Sequence, residues 1–173
     1  MNAAIALVIV TATLALVAWL LPRRLAVSRS AIVHGTPEEI RPLLAGFRAR
    51  QAWIPWSESD PNATYEYGGS DGALGSTMRF DGKEVGKATL TLVRNDEREV
   101  VAEMNYVAPL PMATQDRFVL EPVGEGLTRV TWSNEGPLPF GPARLFAVFA
   151  DRVIGPDYEK GLARLDAHLV GAR

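Results

Sequence analysis

The rhythm of apolar positions changes three times along this chain. Residues 3–21, AAIALVIVTATLALVAWLL, form nineteen positions without a charge, and only Thr11 and Thr13 carry a hydroxyl. At about 1.5 Å rise per helical residue that run spans roughly 28 Å, near the hydrocarbon depth of a bilayer, so it predicts one transmembrane helix. A cleaved signal would want Lys or Arg ahead of a shorter apolar stretch, whereas the first basic residue here is Arg23. Trp19 falls where an interfacial aromatic belongs, and Arg23, Arg24 and Arg29 follow it. That excess of basic residues predicts a single-pass membrane protein: residues 1–24 as anchor, residues 25–173 as a domain in the cytoplasm.

Beyond the anchor, RRLAVSRSAIVHG alternates as a first strand ending at Gly35. TPEEI then supplies a helix start, with Thr36 as N-cap, Pro37 at the first helical position and Glu39 placed to close a capping box. Pro42 should keep this helix short, and residues 43–53 form a second short helix. Pro55 and the DPN at 60–62 forbid a long element after it. From Ala63 to Gly136 apolar residues recur at every second position between turns, which predicts antiparallel strands with one buried face. Met78 and Phe80, Leu90 and Leu92, Val100 and Met104, Phe118 and Leu120, and Val130 and Trp132 mark that face. The last period is helical: Ile154, Tyr158, Leu162, Leu165 and Leu169 form one stripe that should cover the sheet. Gly155-Pro156 interrupts it and predicts two helical segments or a marked kink. Gly161 inside it costs about 1 kcal/mol relative to Ala, reasonable where close approach or internal space is needed.

Composition narrows the functions. Apolar residues at 47% and charged ones at 22% are the globular range, and a net charge of −2 offers no basic surface to nucleic acid. The absence of cysteine removes thiolate nucleophiles, iron–sulfur clusters and cysteine zinc sites. Two histidines far apart, His34 and His168, make a histidine metal site improbable and stand in no recognisable relay. No metal or cofactor is implied. VGKATL lacks the spacing of a phosphate loop, and GGSDGALG reads as a hairpin turn.

In order, WIPWSESDPN at 53–62, the glycine turns ending at Gly75, FDGKEVGKATL at 80–90, FVLEPVGEGLTRVTW at 118–132 and IGPDYEKGLARL at 154–165 resemble the START-like helix-grip superfamily called SRPBCC. Within it they are similar to the polyketide cyclase/dehydrase and lipid transport group. The resemblance covers about residues 25–170. It implies an α+β helix-grip fold, a curved antiparallel sheet wrapped around a long C-terminal helix with an apolar cavity between them. Pro156 departs from it, because family members usually carry a helix-compatible residue there. Fold likeness does not transfer a reaction.

Aromatic and apolar residues on the inward face become the candidate ligand contacts: Trp53, Trp56, Tyr67, Met78, Phe80, Met104, Tyr106, Phe118, Trp132, Phe149 and Tyr158. In that architecture WIPW packs as a lid or wall at the cavity mouth, stiffened by Pro55. Asp116 shares strand parity with Phe118 and Leu120 and is a weak catalytic candidate, its place near a strand end suggesting a structural or rim position. Glu103 and Arg117 take the opposite, solvated parity. The favoured function is a membrane-tethered binding domain for an apolar small molecule or lipid. The alternatives are a cyclase, dehydratase or hydrolase using a cavity carboxylate or tyrosine, and a scaffold whose cavity is filled by its own side chains. The sequence gives no basis for an oligomeric state.

Overall fold

The computed structural model describes residues 3–139 and 141–172. Met1 and Asn2 of the expected anchor segment, and Phe140 and Arg173 of the following domain, lie outside the described residues. Helix α1 (Ala3–Leu20) precedes strand β1 (Arg24–His34), three short helices α2 (Pro37–Ala45), α3 (Phe47–Arg50) and α4 (Trp56–Ser59), then six strands. These are β2 (Thr64–Gly68), β3 (Thr77–Gly82), β4 (Gly86–Asn95), β5 (Glu99–Ala108), β6 (Met112–Gly124) and β7 (Leu127–Pro137), followed by helix α5 (Pro142–Gly171). One antiparallel sheet runs in the order β1-β7-β6-β5-β4-β3-β2. The short helices carry the chain from one sheet edge to the other, and the meander β2 to β7 brings it back beside β1.

The membrane expectation is corrected here. Among the described residues no helix is long and apolar enough to cross a membrane. Helix α1 stops at Leu20 after 18 residues, about 27 Å against a hydrocarbon core of about 30 Å. The single-pass membrane location, and the cytoplasmic side inferred from it, therefore lose their basis.

The strand pattern is as the alternation predicts. Met78 faces Leu90 and Phe80 faces Ala88 across β3 and β4; Leu90 faces Met104 across β4 and β5. Phe118 faces Trp132 and Leu120 faces Val130 across β6 and β7. All of these are buried, and burying one such side chain contributes about 1.5–3 kcal/mol. Register shifts at Lys87/Ala88, Leu92/Arg94 and Pro122/Gly124 add the extra residues by which antiparallel strands bend. The Thr36 hydroxyl accepts from Glu39 N at 3.4 Å while Glu39 Oε2 accepts from Thr36 N at 2.9 Å, the reciprocal cap expected for α2. Helix α2 ends at Ala45, and the expected second helix shrinks to four residues.

Helix α5 differs from expectation because it runs unbroken through Gly155-Pro156. Arg29 on β1 ties the two sides of the proline together. Its guanidinium donates to Asp151 at 2.7 Å and to Glu159 at 2.6 Å, five residues before and three residues after the proline, and so bridges the stretch where Pro156 removes a backbone donor. Gly155 makes room for it, since a Cβ there would lie 2.1 Å from Arg29 Nη2. Past the proline, Tyr158, Leu162, Leu165 and Leu169 are buried as the stripe predicts. Gly161 meets the expected close approach: a Cβ would stand 2.8 Å from the Trp132 ring.

Candidate functional site

Helix α5 does not seal the whole concave face of the sheet. Under its first half lies a cavity of about 270 Å³. Its floor is Leu25 on β1, Met104 and Tyr106 on β5 and Asn134 on β7; its roof is Phe146, Val153, Ile154, Asp157 and Tyr158 on α5. One side is closed by Trp56 and Ser59 of α4 with Phe80, and by Glu84 and Val85 in the β3–β4 turn; Pro109 and Leu110 between β5 and β6, with Met112 at the start of β6, close the other. Glu84, Pro109 and Val153 are exposed, so the cavity opens to solvent beside them. Asp60 holds that rim in place: its buried carboxylate accepts from Glu84 N at 2.8 Å and from Val85 N at 3.4 Å.

Of the residues the sequence nominated, Trp56, Phe80, Met104, Tyr106 and Tyr158 stand on the cavity walls. Trp56 lies tilted on Phe80 at 5.4 Å, and Phe80 meets Tyr106 edge-on at 6.2 Å. The others stand elsewhere. Trp53, Phe118 and Trp132 form a closed aromatic core, with Trp53 edge-on to Phe118 at 5.9 Å and to Trp132 at 5.5 Å, and its indole N–H on Leu43 O at 3.1 Å. Met78 is fully buried at the Gln51 amide. Tyr67 lies under the Arg48 guanidinium at 4.4 Å, and Phe149 points outward at 49% exposure. The WIPW segment thus divides, Trp53 into the core and Trp56 onto the wall.

Asp116 points inward as its parity predicts, but it is not at the rim. It is completely buried, takes Arg50 Nη1 on Oδ2 at 2.7 Å and the Trp132 indole N–H on Oδ1 at 2.6 Å. Arg50 is itself fully buried, lies within 5.0 Å of the Phe47 and Phe118 rings, and donates to Leu44 O. Buried charge is tolerated when it is paired and hydrogen-bonded; here both carboxylate oxygens accept and the guanidinium donates through Nε and Nη1, while its buried Nη2 has no protein partner. The pair sits behind Trp132, whose outer face stacks on Tyr158 at 3.9 Å. Both groups are therefore outside the cavity lining.

The cavity's own polar groups are few. Burial, and then the nearby Asp116 charge, push the Tyr106 and Tyr158 phenols up, so both remain protonated at neutral pH. Burial also raises the Asp157 carboxyl against the opposing charge of Lys160. Asn134 donates weakly to Met104 Sδ at 3.6 Å, and its buried Oδ1 has no protein partner. Sequence reasoning missed Asn134, Asp157 and Arg50. The first was legible, because it continues the inward parity of Val130 and Trp132. His34 pairs with Asp166 at 3.0 Å on the far end of α5, and His168 is exposed; neither lines the cavity. Among the described residues, no group of three or more His, Asp or Glu is placed to hold a metal ion.

The architecture recurs in solved structures. A solution structure from Thermobifida fusca superposes with a TM-score of 0.63 at 21% identity, covering 82% of this chain and 90% of that one. Norcoclaurine synthase from Thalictrum flavum, in complex with dopamine and hydroxybenzaldehyde, gives 0.62 at 14% identity over 87% and 88%. A crystal structure from Chromobacterium violaceum gives 0.59 at 15% over 82% and 94%. At these identities the likeness establishes the fold alone. No curated protein matches the chain. The family model described as polyketide cyclase / dehydrase and lipid transport matches residues 24–170.

Proposed function

Since the chain belongs to the polyketide cyclase / dehydrase and lipid transport family, we propose that it binds one small apolar molecule in the cavity between the sheet and α5. The observation that carries this reading is the cavity itself. An otherwise closed core leaves about 270 Å³ walled by Trp56, Phe80, Met104, Tyr106, Leu110 and Ile154, with few polar groups. That lies just below the roughly 300–1,000 Å³ in which small-molecule sites usually occur, and fits a compact ligand rather than a two-tailed lipid. Norcoclaurine synthase, on the same fold, is described in complex with two small aromatics, which supports the size class.

Binding without chemistry is the better of the two readings. A general acid or base works best with a pKa near the operating pH, whereas burial drives both cavity phenols away from it. Asp116, the one buried carboxylate near them, is held by Arg50 and Trp132 and lines no part of the cavity.

Native mass spectrometry of the full chain, before and after organic extraction, tests the proposal. The expected result is a co-purifying non-covalent mass of a few hundred daltons that extraction removes and re-addition restores. An empty protein that also takes up no member of a panel of naphthols, isoprenoid alcohols and aryl amines overturns it.

A further inference from the structure

The cavity's charge and hydrogen-bond pattern narrows the ligand class. No Lys or Arg lines it, and its ionisable walls besides the two tyrosines are Asp157 and Glu84. The nearby cations are already shared: Lys160 holds Glu58 at 2.7 Å while opposing the rise of the Asp157 carboxyl, and Lys83 stands 3.8 Å from the wall residue Glu84. Asp157 is half-buried on the roof and makes no ion pair or hydrogen bond among the described residues. Asn134, 3% exposed on the floor, presents a buried Oδ1 with no partner. Such an acceptor costs about 1–3 kcal/mol unless something donates to it. Asp157 and Asn134 thus offer acceptors that lack a hydrogen bond, beside the two tyrosine hydroxyls, and no cation stands on the cavity wall itself.

We infer that the cavity selects a small apolar amine, its protonated nitrogen facing Asp157 and its N–H groups supplying the donors that Asp157 and Asn134 lack. An anion of the same shape is disfavoured. A carboxylate would meet Asp157 and Glu84 on the wall, while the nearby cations Lys160 and Lys83 are already shared with Glu58 and Glu84, and it would bring no donor to Asn134. Apolar acids, including fatty acids, are therefore poor ligands, whereas the uncharged analogue of the amine binds with intermediate strength. This inference rests on the cavity-binding reading above.

The test uses the full chain and the uncharged dye N-phenyl-1-naphthylamine, displaced by 4-phenylbutylamine, 4-phenylbutanol and 4-phenylbutanoate. The three competitors share one body and differ in the charge of the head. The amine is expected to compete about tenfold better than the alcohol, equivalent to about 1.4 kcal/mol, and the carboxylate worse than either. Asp157→Asn should bring the amine to within about twofold of the alcohol, each measured against the variant's own dye affinity, and an unchanged urea midpoint reports an intact fold. A carboxylate that competes as well as the amine overturns the inference. So does an amine advantage that survives Asp157→Asn, or a bound dye that none of the three displaces. If the dye itself fails to bind, the cavity-binding reading falls first and takes this inference with it.

Discussion

Removing the Asp116 carboxylate should be among the most damaging single changes in the protein, and the structure says why. Asp116 and Arg50 are both fully buried, and the carboxylate is the counter-ion for Arg50 and the acceptor for the Trp132 indole N–H. Asp116→Ala strands the guanidinium in the core, a loss of about 3–5 kcal/mol for breaking a buried pair. It also leaves the indole N–H without an acceptor, a further ~1–3 kcal/mol. Water entering the new space offsets part of this, so a net loss of about 4 kcal/mol is expected. That is a large share of the ~5–15 kcal/mol by which domains are usually stable. With a urea slope of about 2 kcal/mol/M, the equilibrium midpoint should fall by about 2 M. Arg50→Met alone leaves the carboxylate buried and unpaired and should cost a similar amount. The double variant Arg50→Met/Asp116→Leu removes both charges and should lose only about 1–2 kcal/mol, well below the sum of the singles. If Asp116→Ala does not fold, the double variant still should. A cost below about 1 kcal/mol for Asp116→Ala, or a double variant as damaged as the two singles added, would refute the reasoning.

Two glycines in α5 should respond differently to the same substitution. Gly161→Ala gains about 1 kcal/mol of helix propensity, but its Cβ meets the packed Trp132 ring at 2.8 Å, so urea melts should show a net loss of about 1–2 kcal/mol. Gly155→Ala displaces only the far end of Arg29 from exposed partners, and the same melts should place it within about 1 kcal/mol of wild type. Alkaline pH should destabilise the protein through Tyr158. Its folded pKa is raised above the ordinary 10.0, so above that pH the unfolded chain loses the proton while the folded one keeps it. Stability is then full below pH 10 and should fall above it by about 1.4 kcal/mol per pH unit for this group. Melts between pH 9 and 11.5 should show a shallower decline for Tyr158→Phe than for wild type, and equal slopes would count against it.

Much of this was readable in the sequence because it depends on local periodicity. Strand parity placed Met78, Phe80, Leu90, Met104, Phe118 and Trp132 on one face, and Thr36 with Glu39 announced the cap of α2. What depends on partners distant in the chain was not readable. The link across Pro156 comes from Arg29, more than 120 residues away. The division of Trp53 from Trp56 depends on how the loop after α3 meets β6 and β7, which no local pattern encodes. Nothing in its neighbourhood of the chain marks Arg50 for burial, and only Asp116, contributed by β6, makes that burial tolerable. Phe149 is a different case. Stepping back from Ile154 by fours gives Ala150 and Phe146, which do face inward, so the stripe itself places Phe149 outside.

The central claim, a cavity under α5 that receives a small apolar molecule, is tested most directly by titrating N-phenyl-1-naphthylamine into the full chain and into Ile154→Trp. Ile154 lies on the cavity roof, half-buried, and an indole there occupies the space a ligand needs. Wild type should bind one dye per chain saturably and Ile154→Trp at least tenfold more weakly, with both proteins unfolding at similar urea concentrations. Absence of saturable binding to wild type, or equal affinity in a folded Ile154→Trp, would contradict it.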